Sequence, residues 1–248
     1  MKEPDNIKVG IAQTTAEKGN IEKNIENHLN FIENAIKNQI DLIIFPELSL
    51  TGYEPELSKE LAINLTDKRL KILKQKSDEN NITIIVGAPI KENENVLIGA
   101  IIFSPNEITR VYTKHYLHEG EQKYFTSKEA NIQLNIKGEK INIAICADFS
   151  NFEHPKKAHT ENCSLYLVSV LISKNGLEFD RNLLAKYAKE YNLSVMMSNF
   201  GGISGGYECA GFSSVWNNMG ELIGEIKNNN EGLLIATKSN GDWKTETV

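Results

Sequence analysis

The sequence predicts an α/β protein in which two β-sheets lie face to face, with helices on their outer sides. Strand and helix patterns alternate along all 248 residues, and an early segment is echoed later in the chain. The early segment reads VGIAQ, helix, LIIFPE, and its counterpart reads IAICAD, helix, LYLVSV. Two such halves bury the apolar faces of their sheets against each other. No linker or low-complexity tract interrupts the pattern, so we predict one domain over residues 1–248.

The first part of the chain predicts a strand, a helix, a second strand and a second helix. IKVGIAQ (7–13) is an apolar run typical of a buried strand. In residues 19–39 the apolar positions are three and four apart, which predicts an amphipathic helix. DLIIFPE (41–47) is the next strand, with Pro46 marking its end, and a weaker helical stripe covers residues 67–80. The stripe of the first helix consists of Ile21, Ile25, Leu29, Ile32 and Ile36.

The remainder predicts a series of strands and one further striped helix. Short polar turns such as KENEN and SPNE separate apolar runs, as is typical of hairpins. Phe179, Leu183, Tyr187 and Tyr191 form the apolar stripe of a helix that leads into another strand. The predicted strands are ITIIVGAPI, VLIGAIIFS, TRVYT, IQLNI, KINIAIC, SLYLVSV, LSVMMSN, AGFSSVW, ELIGEI and GLLIATK.

Composition and charge argue against several classes of protein. The net charge is −6 and no Lys/Arg cluster stands out, which disfavours a nucleic-acid surface or a basic membrane-docking helix. No apolar run approaches the roughly 20 residues of a membrane span, and MKEPDNIKVGIAQ lacks the apolar core of a secretion signal. Cys146, Cys163 and Cys209 are too few and too widely spaced for a disulfide framework or a zinc site. We therefore expect a cytoplasmic protein.

Three reactive side chains stand at the ends of predicted strands. Glu47 closes DLIIFPE, Lys114 closes TRVYTK and Cys146 closes INIAIC. A thiol needs a base to become a nucleophile, and the oxyanion that forms after its attack needs a positive partner. Ligands of α/β sheets bind outside the carboxyl ends of the strands, where Ser198 and Asn199 also lie. The pattern predicts attack by the thiol, with the carboxylate as base and the ammonium facing the oxyanion.

Each of these residues also has an ordinary structural explanation. A cysteine after an apolar strand is often a small core residue. A lysine at a strand end is usually solvated, and a glutamate there can be a surface turn residue or a partner of a helix N-cap. The polar neighbours Asp148 and Ser150 favour a reactive Cys146. Cys163 is interpreted as structural, and Cys209 has no base beside it in the sequence.

The histidines offer a competing mechanism, in which one of them activates the thiol. His115 and His118 lie in one loop, and His154 and His159 follow Cys146. None of the four stands at an obvious strand end. The carboxylate is therefore favoured over a histidine as the base.

Three segments, in this order and spacing, resemble the nitrilase superfamily of carbon–nitrogen hydrolases: FPELSLTGYEPE, YTKHYLHEGEQKYF and IAICAD. The resemblance covers nearly the whole chain, from IKVGIAQ to EGLLIA. It implies a four-layer α-β-β-α sandwich of two mixed sheets and a catalytic triad of Glu47, Lys114 and Cys146. It also implies a second glutamate, which orients the lysine and helps to position the substrate. Glu121 matches that position better than Glu119.

The same resemblance implies a protein that needs no metal or organic cofactor and that assembles as a homodimer or a larger homo-oligomer. The segments YLHEGE and ICAD resemble those of a bacterial branch whose members are mostly named only as carbon–nitrogen hydrolases. The chain departs from the commonest pattern after the nucleophile. Ala147 replaces an aromatic residue that often walls the pocket, and Ser150 stands in place of an arginine. These departures concern the substrate pocket and leave the triad intact.

Five residues near these motifs are candidate substrate contacts. Tyr53 lies in the loop that follows DLIIFPE, Tyr116 lies in the loop after TRVYTK, and Ala147 adjoins the nucleophile. Asn199 and Phe200 end a strand beside the glycine-rich segment GGISGGYE, where a loop can pass close to a ligand. A surface hairpin is the alternative interpretation of that segment, and Tyr116 can equally belong to the core.

We predict a hydrolase that cleaves the C–N bond of a small amide through a thioester on Cys146, releasing ammonia or an amine. An ω-amidase and an N-carbamoyl hydrolase both fit. Arg69, Arg110 and Arg181 are the only arginines, which argues mildly against a doubly anionic substrate. Two alternatives remain, because a fold does not fix a function. One is acyl transfer to an amine, and the other is a catalytically silent binding or scaffold protein.

Overall fold

A computed structural model describes residues 6–248, which form two mixed β-sheets with helices packed against them. The predicted α/β fold with two sheets is therefore confirmed. The first five residues, part of the segment considered above for a targeting signal, lie outside the described residues. Within residues 6–248, no helix has both the length and the apolar character needed to cross a membrane.

The first sheet is formed by strands from both ends of the chain. In spatial order its strands are β15 (Asp242–Thr247), β14 (Gly232–Ser239), β1 (Lys8–Gln13), β2 (Leu42–Ile44), β3 (Thr83–Glu92), β4 (Asn95–Phe103) and β5 (Arg110–Thr113). Strands β1, β2 and β3 run parallel to one another, and the outer pairs are antiparallel. The carboxyl ends of the parallel strands therefore share one edge of this sheet.

The second sheet comes from the later part of the chain. In spatial order its strands are β13 (Leu222–Glu225), β12 (Ser214–Trp216), β9 (Ser194–Asn199), β8 (Leu165–Val170), β7 (Glu139–Ile145) and β6 (Gln133–Ile136). Strands β7, β8 and β9 are parallel, as β1 to β3 are in the first sheet. A separate hairpin of β10 (Ile203–Ser204) and β11 (Tyr207–Glu208) follows β9.

The helices connect the parallel strands and cover the sheets. Their bounds are α1 (Ile21–Lys37), α2 (Ser58–Leu61), α3 (Lys71–Asn80), α4 (Ala147–Ser150), α5 (Glu153–Thr160) and α6 (Leu177–Glu190). Asn20 caps α1 by accepting a hydrogen bond from the Lys23 N–H, which satisfies one of the unpaired donors of the first turn. The apolar stripe of α1 packs on the first sheet, with Ile32 and Phe45 in one buried cluster.

The two sheets share a core and are also joined by hydrogen bonds. Ile44 of the first sheet and Leu167 of the second belong to one buried cluster. The Ser198 hydroxyl donates to the Ala12 carbonyl at 2.6 Å, and the Ser169 hydroxyl donates to the Phe45 carbonyl at 2.9 Å. All four groups lie near the carboxyl ends of parallel strands, so these bonds hold the two functional edges together.

The observed strands differ from the predicted ones mainly at their ends. Strand β2 ends at Ile44, and two residues separate it from the turn that begins at Glu47. Cys146 likewise lies just beyond β7. Strand β15 was not predicted, because its sequence lacks an apolar run, whereas β10 and β11 form the surface hairpin that was the alternative interpretation of GGISGGYE. Both form through main-chain pairing with the segment that comes just before them in the chain, β14 with β15 and β10 with β11, across tight turns.

Candidate active site

Glu47 reaches the shared edge of the sheets because the turn that carries it lies directly on β3. A Cβ atom at Gly87 would stand 2.3 Å from the Leu48 nitrogen and 2.6 Å from the Pro46 oxygen. The Leu50 N–H donates to the Gly87 carbonyl at 2.9 Å, which fastens the turn to the strand. Only a residue without a side chain allows this close approach.

We expect Gly87→Ala to move the Glu47 turn and to lower the catalytic activity by about 100-fold, since a misplacement of about 1 Å can have that effect. Kinetic assays with the purified variant measure the loss. Gly176→Ala is the matched control, because a Cβ there meets nothing closer than 3.4 Å. Wild-type activity in Gly87→Ala would show that the close approach does not position the carboxylate.

Lys114 bridges two buried carboxylates. Its Nζ donates to Glu47 Oε1 at 2.7 Å and to Glu121 Oε1 at 2.9 Å. All three residues are at most 3% exposed. Lys114 directly follows β5, and Glu121 begins a short 3₁₀ turn seven residues later. Burial of these charges would be costly without such pairing, so the lysine holds both carboxylates in place.

The electrostatics of this group favour a proton acceptor at Glu47. Burial raises the pKa of Glu47 to about 7, against the lowering effect of Lys114. Burial alone would lower the pKa of Lys114, but the negative charges around it outweigh burial and raise the pKa above its ordinary value. Among the described residues, no donor makes a hydrogen bond of normal geometry to Glu47 Oε2. Lys114 is therefore cationic, and Glu47 keeps one oxygen free to accept a proton.

Cys146 lies at a sharp turn between β7 and the short helix α4. Its φ of 42° is in the left-handed region, which costs a non-glycine residue free energy and often marks a functional site. Its N–H donates to the Ser169 carbonyl at 3.0 Å, and Sγ lies 3.3 Å from His118 Nε2. Burial and the charge of Glu47 raise the pKa of the thiol well above its ordinary value, although Lys114 acts in the opposite direction.

The high pKa means that the resting nucleophile is a thiol, which needs a base at the moment of attack. The thiol is close enough to Glu47 to lower the pKa of that carboxyl slightly, yet no hydrogen bond of normal geometry joins them. Ala147 follows Cys146 as the first residue of α4. The first N–H groups of a helix lack partners within the helix, so this N–H can meet an oxyanion.

Glu121 and Tyr53 extend the charged group toward solvent. The Tyr53 hydroxyl donates to Glu121 Oε1 at 2.8 Å, and the His118 N–H donates to Glu121 Oε2 at 2.8 Å. Burial and the charges of Glu47 and Glu121 raise the pKa of Tyr53, so its phenol stays protonated. Of the two candidates, Glu121 is the one beside Lys114, whereas Glu119 is exposed.

Asp148 is a positioning residue to which the sequence analysis gave no role of its own. One carboxylate oxygen accepts from the N–H groups of His115 and Tyr116, both at 2.9 Å. The other accepts from the Ile145 N–H at 2.9 Å and the Tyr112 hydroxyl at 2.7 Å. One buried carboxylate thus joins the segment after Lys114 to the turn that carries the thiol. Its place two residues after the nucleophile was the available signal.

The remaining predicted contacts are less central. Asn199 is fully buried, and its side-chain amide is hydrogen-bonded to main-chain groups of Ile172, Phe200 and Gly211. Phe200 is also fully buried. Tyr116 is 36% exposed and is held through its main chain. The geometry therefore supports Asn199 as a brace of the loop at the end of β9 and gives no support to its predicted substrate contact.

The four histidines considered as bases differ in position. His154 is hydrogen-bonded to the hydroxyls of Tyr112 and Tyr166. His159, on α5, is hydrogen-bonded to the main-chain carbonyl of Tyr191. His115 contacts the main chain of Ala130. His118 alone among the four has a nitrogen at hydrogen-bond distance from Sγ. The sequence did not predict this contact, because no strand ends in the segment of His118. The contact forms because the loop folds back over the nucleophile.

Other chemistry would need a second reactive thiol or a metal site. Cys163 and Cys209 are buried free thiols, and Cys163 accepts a hydrogen bond from the Gln133 side chain. Within residues 6–248, no group of three or more histidine, cysteine, aspartate or glutamate side chains has an arrangement that could hold a metal ion.

The fold and the site define an α/β sandwich protein with a carboxylate, an ammonium and a thiol at the shared edge of its two sheets. The chain belongs to the carbon–nitrogen hydrolase family, because the model of that family, described as "Carbon-nitrogen hydrolase", matches residues 8–245. This membership establishes a carbon–nitrogen hydrolase enzyme and confirms the resemblance seen in the sequence.

Three relatives illustrate the range of similar proteins. An amidase from Nesterenkonia sp. AN1 superposes with a TM-score of 0.86 at 22% identity, covering 95% of this chain and 92% of that chain. The 2-oxoglutaramate amidase of Bacillus subtilis is 25% identical, over 88% of this chain and 85% of its own length. The glutamine-dependent NAD(+) synthetase of Aquifex aeolicus is 25% identical over 98% of this chain, which spans only 44% of that protein.

Proposed function

We propose that this enzyme hydrolyses a small amide through a thioester on Cys146. The observation that carries the proposal is the buried bridge of Lys114 to Glu47 and Glu121, with an unused oxygen of Glu47 beside the thiol. Such a group supplies a base, a cation and a nucleophile in one place. It would be costly to maintain without a chemical role, because buried charges rarely add net stability.

In the first half of the reaction, Glu47 takes the thiol proton and Sγ attacks the amide carbonyl carbon. The carbonyl oxygen becomes an oxyanion, which Lys114 and the Ala147 N–H stabilise. Loss of one such donor typically costs about 100- to 1000-fold in rate. The C–N bond then breaks as Glu47 returns the proton to the departing nitrogen. Ammonia or an amine leaves, and the acyl group remains on sulfur.

In the second half, water attacks the thioester. Glu47 takes a proton from the water, and the same donors stabilise the second oxyanion. The C–S bond breaks, the electron pair returns to sulfur, and the carboxylic acid leaves. The thiol regains the proton that Glu47 holds, so the net change is amide plus water to acid plus ammonia or amine. Glu121 orients Lys114 throughout.

The relatives support this assignment of chemistry. In a mutant of the amidase from Nesterenkonia sp. AN1, the acetamide moiety of fluoroacetamide is covalently added at the active-site cysteine. The amide-cleaving relative from Bacillus subtilis is a 2-oxoglutaramate amidase, and the Aquifex relative is glutamine-dependent. We therefore place the substrate among small primary amides.

Ammonia release from a panel of amides tests the proposal. The panel contains acetamide, butyramide, glutamine and 2-oxoglutaramate, and the control protein is Cys146→Ala. We expect ammonia from at least one amide with the wild type and none with the variant. Intact-protein mass during turnover should show the acyl group on Cys146. Equal ammonia release by Cys146→Ala would contradict the proposal.

The charges around the site predict a preference for neutral amides. A cleft of about 470 Å³ adjoins Glu121 and is lined by Glu54, Glu56 and Glu119 and by two lysines, Lys18, which pairs with Glu54, and Lys123. The carboxylates outnumber the ammonium groups. The arginines, which could clamp a carboxylate, are each paired with acidic residues elsewhere. These pairs are Arg69 with Asp67 and Glu22, Arg110 with Glu107, and Arg181 with Glu225.

We expect kcat/KM for butyramide to exceed that for succinamate by at least about tenfold. The two amides have the same four-carbon chain and differ by a terminal carboxylate, which the acidic cleft repels. A repulsion of about 1.4 kcal/mol has this effect on the ratio. Steady-state kinetics at two salt concentrations measure it, since screening should narrow the gap. A faster reaction with succinamate would contradict the expectation and favour an ω-amidase.

The homo-oligomeric assembly and the cytoplasmic location stay predictions. Analytical ultracentrifugation of the purified protein tests the first. Fractionation of the cells that produce the protein tests the second.

A further inference from the structure

His118 is the side chain nearest the nucleophile that the mechanism above leaves unused. Its Nε2 lies 3.3 Å from Cys146 Sγ. We propose that His118 is a further catalytic residue, which donates its Nε2–H to the sulfur and stabilises the thiolate each time it forms. The inference rests on the proposed thioester chemistry and adds a donor to it.

The position of His118 is fixed by the same charged group. Its main-chain N–H donates to Glu121 Oε2 at 2.8 Å, and the other oxygen of that carboxylate bonds to Lys114 Nζ. This bond ties the main chain of His118 to the carboxylate that orients the lysine, and the imidazole extends from that fixed position. The residue as a whole is exposed at the mouth of the site, while its Nε2 faces Sγ. Water can therefore reach the ring without separating it from the sulfur.

A sulfur–nitrogen distance of 3.3 Å suits donation in either direction, so the surrounding charges decide the direction. The groups that face this contact are Glu47 after β2, Lys114 after β5, and Glu121 in the loop of His118 itself. Partial burial of the ring and the positive charge of Lys114 lower the pKa of His118, and the charge of Glu121 opposes them only in part. The ring is therefore neutral and a poor proton acceptor. Glu47, with a raised pKa and a free oxygen, is the better base.

The thiolate needs a donor because its surroundings disfavour negative charge. Glu47 and Glu121 both raise the pKa of the thiol, and only Lys114 opposes them among these charged groups. When the thiol proton passes to Glu47, the charge left on sulfur gains a hydrogen bond from the imidazole. The imidazole keeps its own proton throughout. When the C–S bond of the thioester breaks, the electron pair returns to sulfur. The hydrogen bond from the imidazole then stabilises the thiolate again.

Alkylation of Cys146 tests this role without any amide substrate. The probe is iodoacetamide, and mass spectrometry of the peptide that contains Cys146 follows its rate across pH. The proteins are the wild type, His118→Phe, His118→Ala and His118→Gln, with His159→Gln as the control for the substitution itself. Gln keeps an N–H donor but cannot take up a proton, whereas Phe and Ala have neither function.

We expect Phe and Ala at position 118 to raise the apparent pKa of the alkylation and to slow it at pH 7.5 by about tenfold to 100-fold. This range corresponds to one hydrogen bond to a charged group. Gln at this position should retain most of the wild-type rate. The limiting rate at high pH should be the same in all variants, which shows that access to the thiol is unchanged. The His159→Gln control should match the wild type throughout.

Two outcomes would overturn the inference. Wild-type alkylation in both Phe and Ala variants would mean that the contact does not stabilise the thiolate. An equal loss in Gln, Phe and Ala variants would mean that proton uptake by the ring matters, which makes His118 a base and not a donor. If no protein released ammonia from any amide, the proposed function would fail, while the alkylation profiles would still decide the role of His118.

Discussion

Replacing Lys114 with methionine is expected to abolish turnover and to reduce the free energy of unfolding by about 3–5 kcal/mol, the usual cost of removing one partner from a buried ion pair. Methionine keeps the length and much of the volume of the side chain. It leaves Glu47 and Glu121 facing each other without the cation that now lies 2.7 Å and 2.9 Å from their oxygens. Chemical denaturation and ammonia release measure the two losses.

The pH dependence of the loss identifies its cause. The pKa of Glu47 is already raised to about 7 with Lys114 present, and removal of the cation raises it further. A carboxyl whose folded-state pKa is raised favours folding while it is protonated, and that contribution is lost as pH rises through the folded-state pKa. The free energy of unfolding of Lys114→Met should therefore lie further below that of the wild type at pH 8 than at pH 5. An equal loss at both values would indicate altered packing alone.

Lys156→Met is the matched control for this experiment. Lys156 pairs with Glu153 at 3.1 Å, but both side chains are about half exposed. Exposed pairs of this kind contribute at most about 1 kcal/mol. The control should therefore keep its activity and nearly all of its stability. A similar loss in both variants would contradict a special role for the buried bridge.

Glu47→Gln is expected to slow both acylation and deacylation, each by about 100- to 10,000-fold, the range of general-base contributions. The amide of glutamine has nearly the same shape as the carboxylate, so the fold should be retained. It cannot accept the thiol proton or activate water. Rapid-quench measurement of the acyl-enzyme separates the two steps. If only one step were slowed, a second base would be serving the other.

The pH profile supplies an independent test of the same residue. Glu47 must be ionised to accept a proton, and its pKa is raised to about 7. In the wild type, kcat/KM should therefore rise with pH through about 7, and this limb should vanish in Glu47→Gln. Glu119→Gln removes an exposed carboxylate from the loop after Lys114 and should leave the limb unchanged. Persistence of the limb in Glu47→Gln would assign it to another group.

Much of the fold was determined by short-range pattern. The alternation of apolar strands with the stripe of α1 predicted the strands β1, β2 and β3, and the echo in the second half predicted β7 and β8; the structure shows that each set is parallel. Burial of one face at each element requires that pattern, so it is visible in the sequence. Strand β15 was missed because it has no apolar run; it pairs with β14 across a tight turn at Asn240 and Gly241, and that dipeptide was its signal in the sequence.

For the site, the sequence by itself determined which side chains could react, because Glu47, Lys114 and Cys146 each follow an apolar strand that ends at the same kind of edge. Only the tertiary structure decided their distances, the contact of Glu121 with Lys114, the bracing by Asp148 and the contact of His118 with Sγ. The physical reason is that hydrogen bonds between segments far apart in the chain depend on how two sheets and a loop meet. No local pattern of residue types records that geometry.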